Sequence, residues 1–220
     1  MARRYDASSR QEAARATRRR IIAAAGDLLL EGGYAGMTVA GLAHEAGVSP
    51  QTVYNAVGGK AEVVKAVYDT MLAGDDDPVP MSDRPAFVAV QDAEDAVAWG
   101  AAYAAWTLSI MRRVGPLLGV LLDHGPGGDP VLEELVGAMS TERRIGNENA
   151  LRGLTARGLV PKGQRERKHV VDVVWLLTGP EIYDRLVVHA GWSERSYEGW
   201  LAAQLEAAVT GLGLRSPSRG

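Results

Sequence analysis

TVAGLAHEAGVSPQTVYNAVGGK, residues 38–60, holds two short helical patterns joined by a glycine turn. Thr38 heads the first pattern and offers a hydroxyl as its N-cap. Leu42 and Ala43 fall on the inner face of that helix, and Ala43 is small enough for a second helix to cross closely. Gly47 stands where the chain reverses, a position that calls for positive φ and strains glycine least. Val48 plugs the corner. Ser49 then provides a second N-cap hydroxyl, and Pro50 takes the first helical position, where its missing N–H is no loss. Val53 and Ala56, three apart, face inward on the second helix. This order predicts a helix-turn-helix, which lays its second helix in the major groove of DNA. A plain helical hairpin shares part of the pattern; agreement at every constrained position selects the DNA-reading form.

Upstream, residues 17–33 (TRRRIIAAAGDLLLEGG) place Ile21, Ala24, Ala25, Leu28 and Leu29 on one stripe of helical period. Gly32 and Gly33 end that helix, and Tyr34 and Met37 are placed to close a small core. Downstream come Tyr54, Asn55, Ala56, Val57, two glycines, and Lys60 opening another helix. Together these residues resemble the TetR family of bacterial transcription regulators, most specifically over residues 17–69. Two positions depart from the family pattern: Val57 stands for the usual aromatic, and Ala56 for the histidine or tyrosine often found before it. The resemblance implies a dimer, each subunit with a small DNA-binding domain and a larger helical ligand-binding domain.

Net charge over the 220 residues is −3, which by itself argues against a nucleic-acid binder. The distribution reverses the argument. Residues 1–20 carry seven arginines (Arg3, Arg4, Arg10, Arg15, Arg18, Arg19, Arg20) against Asp6 and Glu12. Residues 1–60 hold a net +3 and residues 61–220 a net −6. A basic head on an acidic body suits a protein that docks one end on phosphates. With no cysteine there are no disulfides or thiolate metal sites. His44, His124, His169 and His189 lie far apart and show no metal-ligand spacing, so neither metal nor cofactor is expected. No apolar run approaches the length of a membrane span, and no signal-peptide stretch opens the chain. A bacterial cytoplasm is the expected compartment.

The predicted fold class is all-α. Residues 1–59 form a basic arm and a three-helix DNA-binding domain, helix 60–73 connects, and residues 74–220 form a helical ligand-binding and dimerisation domain. The connecting helix carries Val63, Val64, Val67, Tyr68, Met71 and Leu72 on one stripe. Residues 74–85 (GDDDPVPMSDRP) read as a surface loop. From Asp92 on, the patterns are helical. A helix over 92–113 is kinked or divided by Gly115-Pro116 from a piece over 117–124, and a loop follows over 124–130. A long helix over 129–157 has Val131, Leu135, Met139, Leu151 and Leu154 on its apolar side. Helices over 165–178 and 180–190 meet at Gly179-Pro180, and the last runs from an N-cap at Ser193 to Gly211. VVDVVWLLT is the one strand candidate, and its neighbours favour a buried helix.

With Val53 and Ala56 turned inward, Gln51, Thr52 and Asn55 face outward. Gln51 suits an adenine and Thr52 a thymine methyl. Ser49, at the head of the same helix, joins these three as a DNA-side residue. Thr38, Tyr54 and Lys60 map by resemblance onto phosphate contacts, with core packing the alternative for Tyr54. Lys60 also opens a helix, whose N-terminus attracts phosphate. The reading helix holds no arginine or lysine, so A·T-tolerant readout is expected, with affinity carried by Lys60 and the N-terminal arginines. The tail over residues 1–15 reads either as an arm, disordered in the free protein, that reaches along a groove, or as a solvated charge run.

In the body, Trp99, Tyr103, Trp106 and Ile110 recur along one helix face, opposed by Met139, Arg143 and Asn147. An aromatic face with a few polar groups suits a pocket for a small apolar or aromatic effector; a dry tryptophan core is the competing reading. The C-terminal segment resembles the final helices of many actinobacterial TetR-like regulators. Val170, Val173, Val174, Leu177, Trp200, Leu201, Leu205 and Val209 exceed one subunit's need, which favours a homodimer through residues 165–211. Three functions compare: a ligand-responsive dimeric repressor on a palindromic operator, a DNA-binding regulator controlled by abundance or a protein partner, and, remotely, an all-α enzyme. No catalytic or phosphate-loop spacing supports the last.

Overall fold

The computed structural model describes residues 2–75, 79–122 and 129–211, with residues 2–8 as backbone alone. Every regular element among them is helical. By packing, the chain divides into two units, Met1–Asp76 with Pro116–Val136, and Asp77–Gly115 with Gly137–Gly220.

The first unit opens with α1 (Ala2–Gly36), followed by α2 (Val39–Glu45), α3 (Pro50–Ala56) and α4 (Lys60–Ala73). Gly33 breaks α1 with φ 68° and ψ −178°, leaving one further turn before α2. The stop expected at Gly32-Gly33 is this break. The stretch read as an arm or a solvated charge run is a helical extension of α1. Residues 2–20 contain no glycine or proline and are rich in alanine and arginine, both strong helix formers. Such a stretch prolongs a register nucleated by the packed turns beyond it. From residue 9 to residue 20 its side chains are exposed, Thr17 alone being half-buried. The core of the unit joins Ile21, Ala25 and Leu29 of α1 to Leu42 and Ala43 of α2, Val53 of α3, and Val63, Val64 and Val67 of α4. Tyr34 and Met37 are buried with them. Ala56, expected inside, is half-buried, because α3 ends there and the chain turns away.

The second unit contains a helix absent from the sequence reading, α5 (Pro85–Asp92). Pro85 sits at its start, and the buried residues of the helix are Phe87 and Val90, three apart. Asp95 Oδ1 then accepts from the Ala98 amide at 2.8 Å, so α6 (Ala96–Leu122) begins four residues later than expected. Pro116 lies inside α6 without dividing it. The one lost amide donor is offset by burial of Val114, Leu117 and Leu118 around it. The loop read at residues 124–130 lies mostly outside the described residues. α6 is also long and apolar enough to span a membrane by length and composition, contrary to the sequence reading. Its apolar side chains Trp99, Tyr103, Ala104, Trp106 and Leu108 instead form part of the second unit's core.

The long helix expected over 129–157 is two, α7 (Pro130–Ala150) and α8 (Arg152–Ala156), parted at Leu151. Leu132 is buried there while Val131 is 49% exposed, so the apolar stripe starts one residue later than read. α9 (Gln164–Leu177), α10 (Pro180–Tyr183) with a π-helical continuation (Asp184–His189), and α11 (Glu194–Thr210) complete the unit. Ser193 caps α11 and Gly211 ends it in the left-handed region, as read. A Cβ on Gly100 would fall 2.7 Å from the Ala202 carbonyl oxygen, so α6 and α11 approach to backbone distance.

The apolar positions of the C-terminal segment divide. Val170, Val174, Leu201, Leu205 and Val209 are buried in the chain's own core, with Val173, Leu177 and Trp200 packed half-buried against it. The five buried ones therefore serve the chain's own core, while Val173, Leu177 and Trp200 keep part of their surface exposed. The large apolar side chains left exposed in this stretch are Leu176 at 58%, Val188 at 63% and Trp192 at 37%.

Candidate nucleic-acid interface

The turn between α2 and α3 follows from its residues. Gly47 has φ 62°, and the Gly47 and Val48 amides donate back to the His44 and Ala43 carbonyls at 3.1 and 2.9 Å. This pair of bonds closes α2 by the Schellman pattern, which requires the left-handed residue glycine supplies. Thr38 Oγ1 accepts from the Gly41 amide at 3.0 Å and Ser49 Oγ from the Thr52 amide at 3.1 Å, so both N-caps form. Val48 is half-buried at the corner.

On α3, Gln51 and Asn55 are exposed and bonded to each other, with Gln51 Nε2 donating to Asn55 Oδ1 at 2.9 Å. The bond leaves Gln51 its carbonyl oxygen and one N–H, the set that pairs with adenine, and leaves Asn55 its two N–H donors. Thr52 is half-buried, and its hydroxyl is 2.8 Å from that of Ser49. Its polar atom is thereby occupied, and the methyl remains for an apolar contact. Tyr54 is 53% exposed, which removes the core-packing alternative.

Lys60 is half-buried at the first position of α4, and its Nζ stands 4.1 Å from the centre of the Tyr34 ring. Burial first, then the charges of Asp129 and Glu62, raise the Tyr34 phenol above its ordinary value, so the ring stays neutral beneath the ammonium. Gly59 offers no side chain to cap α4. Glu62 lies in the same first turn, a negative charge competing with phosphate there. Arg18, read among the phosphate-binding arginines, donates from Nη1 to the Ala56 carbonyl at 3.1 Å. That contact joins residues 38 positions apart, and no local pattern signals it.

In the second unit, Trp99 and Tyr103 lie tilted against each other with ring centres 5.2 Å apart, and Trp106 meets Phe87 edge-on at 5.6 Å. The Trp99 indole N–H donates to the Ala150 carbonyl at 2.9 Å. The Tyr103 hydroxyl donates to Asn147 Oδ1, and Asn147 Nδ2 donates to Thr178 Oγ1 at 3.2 Å. Burial drives the Tyr103 phenol well above its ordinary value, with Arg143 opposing. Trp99, Tyr103 and Asn147 are thus brought together, and Thr178, unmarked in the sequence, completes their polar cluster. Met139 is buried; Ile110 and Arg143 are half-buried, and the Arg143 guanidinium donates to the Trp175 carbonyl and lies 5.0 Å from its ring.

Residues 21–67 match the family described as bacterial regulatory proteins, tetR family. No curated protein matches the chain. A candidate TetR-family transcriptional regulator from Mesorhizobium loti is similar over 89% of this chain and 96% of its own, with a TM-score of 0.55 and 18% identity. A candidate fatty acid metabolism regulator from Clostridium perfringens is similar over 86% of this chain and 98% of its own, with a TM-score of 0.56 and 16% identity. At these identities the solved structures share the fold, while the match over the capped helix-turn-helix carries the family. The helix-turn-helix module of this chain is thus that of the tetR family of bacterial regulatory proteins.

Proposed function

We propose that this transcriptional regulator is a dimeric repressor that binds a near-palindromic operator and is released by a small apolar or aromatic molecule. Gln51, Thr52 and Asn55 read bases, Ser49 orders the head of the reading helix, and Thr38, Tyr54 and Lys60 hold phosphates. Two copies of α3 related by a two-fold axis require two half-sites of matching symmetry. The effector acts by binding one spacing of the two reading heads better than the other, since equal affinity would shift nothing. The observation that carries the ligand reading is the buried Tyr103–Asn147–Thr178 cluster beside Trp99, polar groups set in an aromatic core. An aromatic effector would enter between these side chains and exchange hydrogen bonds with Asn147.

The test begins with duplexes selected by the purified chain from a random-sequence pool at fixed salt. Sedimentation of the complex should give two chains per duplex, and a panel of apolar aromatic compounds should contain one that releases the DNA. The same compound should quench tryptophan fluorescence in wild type and fail to do so in Asn147→Ala. One chain per duplex, or no releasing compound across the panel, would count against the reading. A second reading, regulation without a small molecule, is favoured by one observation. Trp99, Tyr103 and Asn147 already bond to groups within the unit, which leaves a closed polar cluster. In that case the selected duplex is held whatever compound is added.

A further inference from the structure

The reading helix α3 is seven residues long, shorter than a helix that holds itself together in water. Its position depends on what ties down its two ends. Ser49 holds the N-terminal end, bonding the Thr52 amide. At the other end the chain leaves the helix abruptly, Val57 at φ −130° and Gly58 at φ 129°. The terminal carbonyls of a helix lack partners within it and carry its negative dipole end. Arg18 meets this need from α1, its Nη1 3.1 Å from the Ala56 oxygen. Val53 supplies the sole fully buried side chain of α3, so the helix's own packing anchors it at one point.

We propose that Arg18 is a positioning residue for DNA reading rather than one of the phosphate contacts. It fixes the angle at which α3 presents Gln51, Thr52 and Asn55, so that the outer face of the helix meets base edges. A cation is suited to this because it complements the dipole end as well as donating to the carbonyl. This rests on α3 being the reading helix. The prediction differs in kind from that for a phosphate contact. Loss of a phosphate contact weakens binding to all sequences and lowers the salt slope by about one unit. Loss of a positioning contact weakens binding to the selected sequence and leaves the slope unchanged.

The test uses the full chain, a duplex it selects from a random pool, and a scrambled duplex of equal length. Arg18→Ala, Arg18→Lys and Gln51→Ala are titrated against both at several salt concentrations. Arg18 is exposed, so the variants are expected to retain the wild-type helical circular dichroism. Arg18→Ala should reduce discrimination between the two duplexes by about 5-fold, the scale of one hydrogen bond in a partly wetted setting, with an unchanged slope. Arg18→Lys, which keeps the charge and a donor, should recover part of it. Equal loss on both duplexes with a reduced slope would make Arg18 a phosphate contact and overturn the proposal. Unchanged discrimination would overturn it as well. Gln51→Ala separates the underlying reading: if it leaves base preference intact, α3 does not read DNA, and that failure is visible whatever Arg18 does.

Discussion

Gln51 and Asn55 were legible as outward-facing amides from the inward placement of Val53, but not as a bonded pair. Helical spacing puts residues four apart on one face; which amide donates to which follows only from the folded backbone and its surroundings. Because they share a bond, the two side chains should act on DNA as one group. Gln51→Ala and Asn55→Ala are each expected to cost about 1–3 kcal/mol on the selected duplex, and the double variant clearly less than their sum. A double-mutant cycle by fluorescence anisotropy checks this, and strict additivity would mean that the pair reads independently. Asn147 makes a parallel case inside the second unit. Its spacing sets it opposite the aromatic face, and in the fold it accepts a hydrogen bond from Tyr103. Thr178 was not foreseen, because 31 positions separate it from Asn147. Asn147→Ala leaves the buried Tyr103 hydroxyl without its partner, while Thr178 keeps its bond to the Val174 carbonyl, and should destabilise the chain by about 1–3 kcal/mol in urea unfolding.

At the level of elements, the best-read parts are those governed by local chemistry. Ser49, Pro50, Gly47 and Ser193 act through neighbours within five residues, so their roles are written in the chain. Ser49→Ala should cost about 1 kcal/mol through the lost cap. Gly47→Ala should cost about 1–2 kcal/mol, because nothing crowds a Cβ there and the penalty is that of the left-handed backbone alone. Both are measured by thermal melting. Gly100 is different: its backbone is helical and unremarkable, yet Ala202 lies against it. Gly100→Ala should lower the melting temperature more than Gly119→Ala, whose Cβ would meet open space. The missed helix α5 and the division at Leu151 belong to the same class. A short helix that buries only Phe87 and Val90, or a break inside a long apolar stripe, is decided by partners remote in sequence.

For the whole molecule, the charge asymmetry is a property of composition and should govern behaviour in salt. Affinity for the selected duplex should fall steeply as salt rises, since Lys60 and the arginines of α1 other than Arg18 are the proposed phosphate-side charges and displace counterions. Acid stability has identifiable contributors in the second unit. Arg112, through its hydrogen bonds to Glu194, holds that carboxyl below the ordinary value of 4.5. Lys168, with Arg144, holds Asp172 below 3.8. A carboxylate whose value is lowered on folding contributes stability above its unfolded value and loses it as pH falls through the folded one. The double variant Glu194→Gln/Asp172→Asn should therefore melt below wild type at pH 7, by a small margin because both pairs are wetted. That margin should close as pH is lowered past both values.

What the sequence by itself determined are the all-helical class, the capped turn, the inward and outward faces of the reading module, and the basic head on an acidic body. Each depends on contacts within a turn or two of helix, or on composition. Only the tertiary structure decided that Arg18 grips the end of α3, that Lys60 rests on Tyr34, and that Thr178 joins Tyr103 and Asn147. It also decided that most of the apolar residues read as a dimer surface are covered by the chain's own α6, α9 and α11. The reason is the same throughout. Helical periodicity says which way a side chain faces, but the group that waits there is supplied by another helix, dozens of residues away.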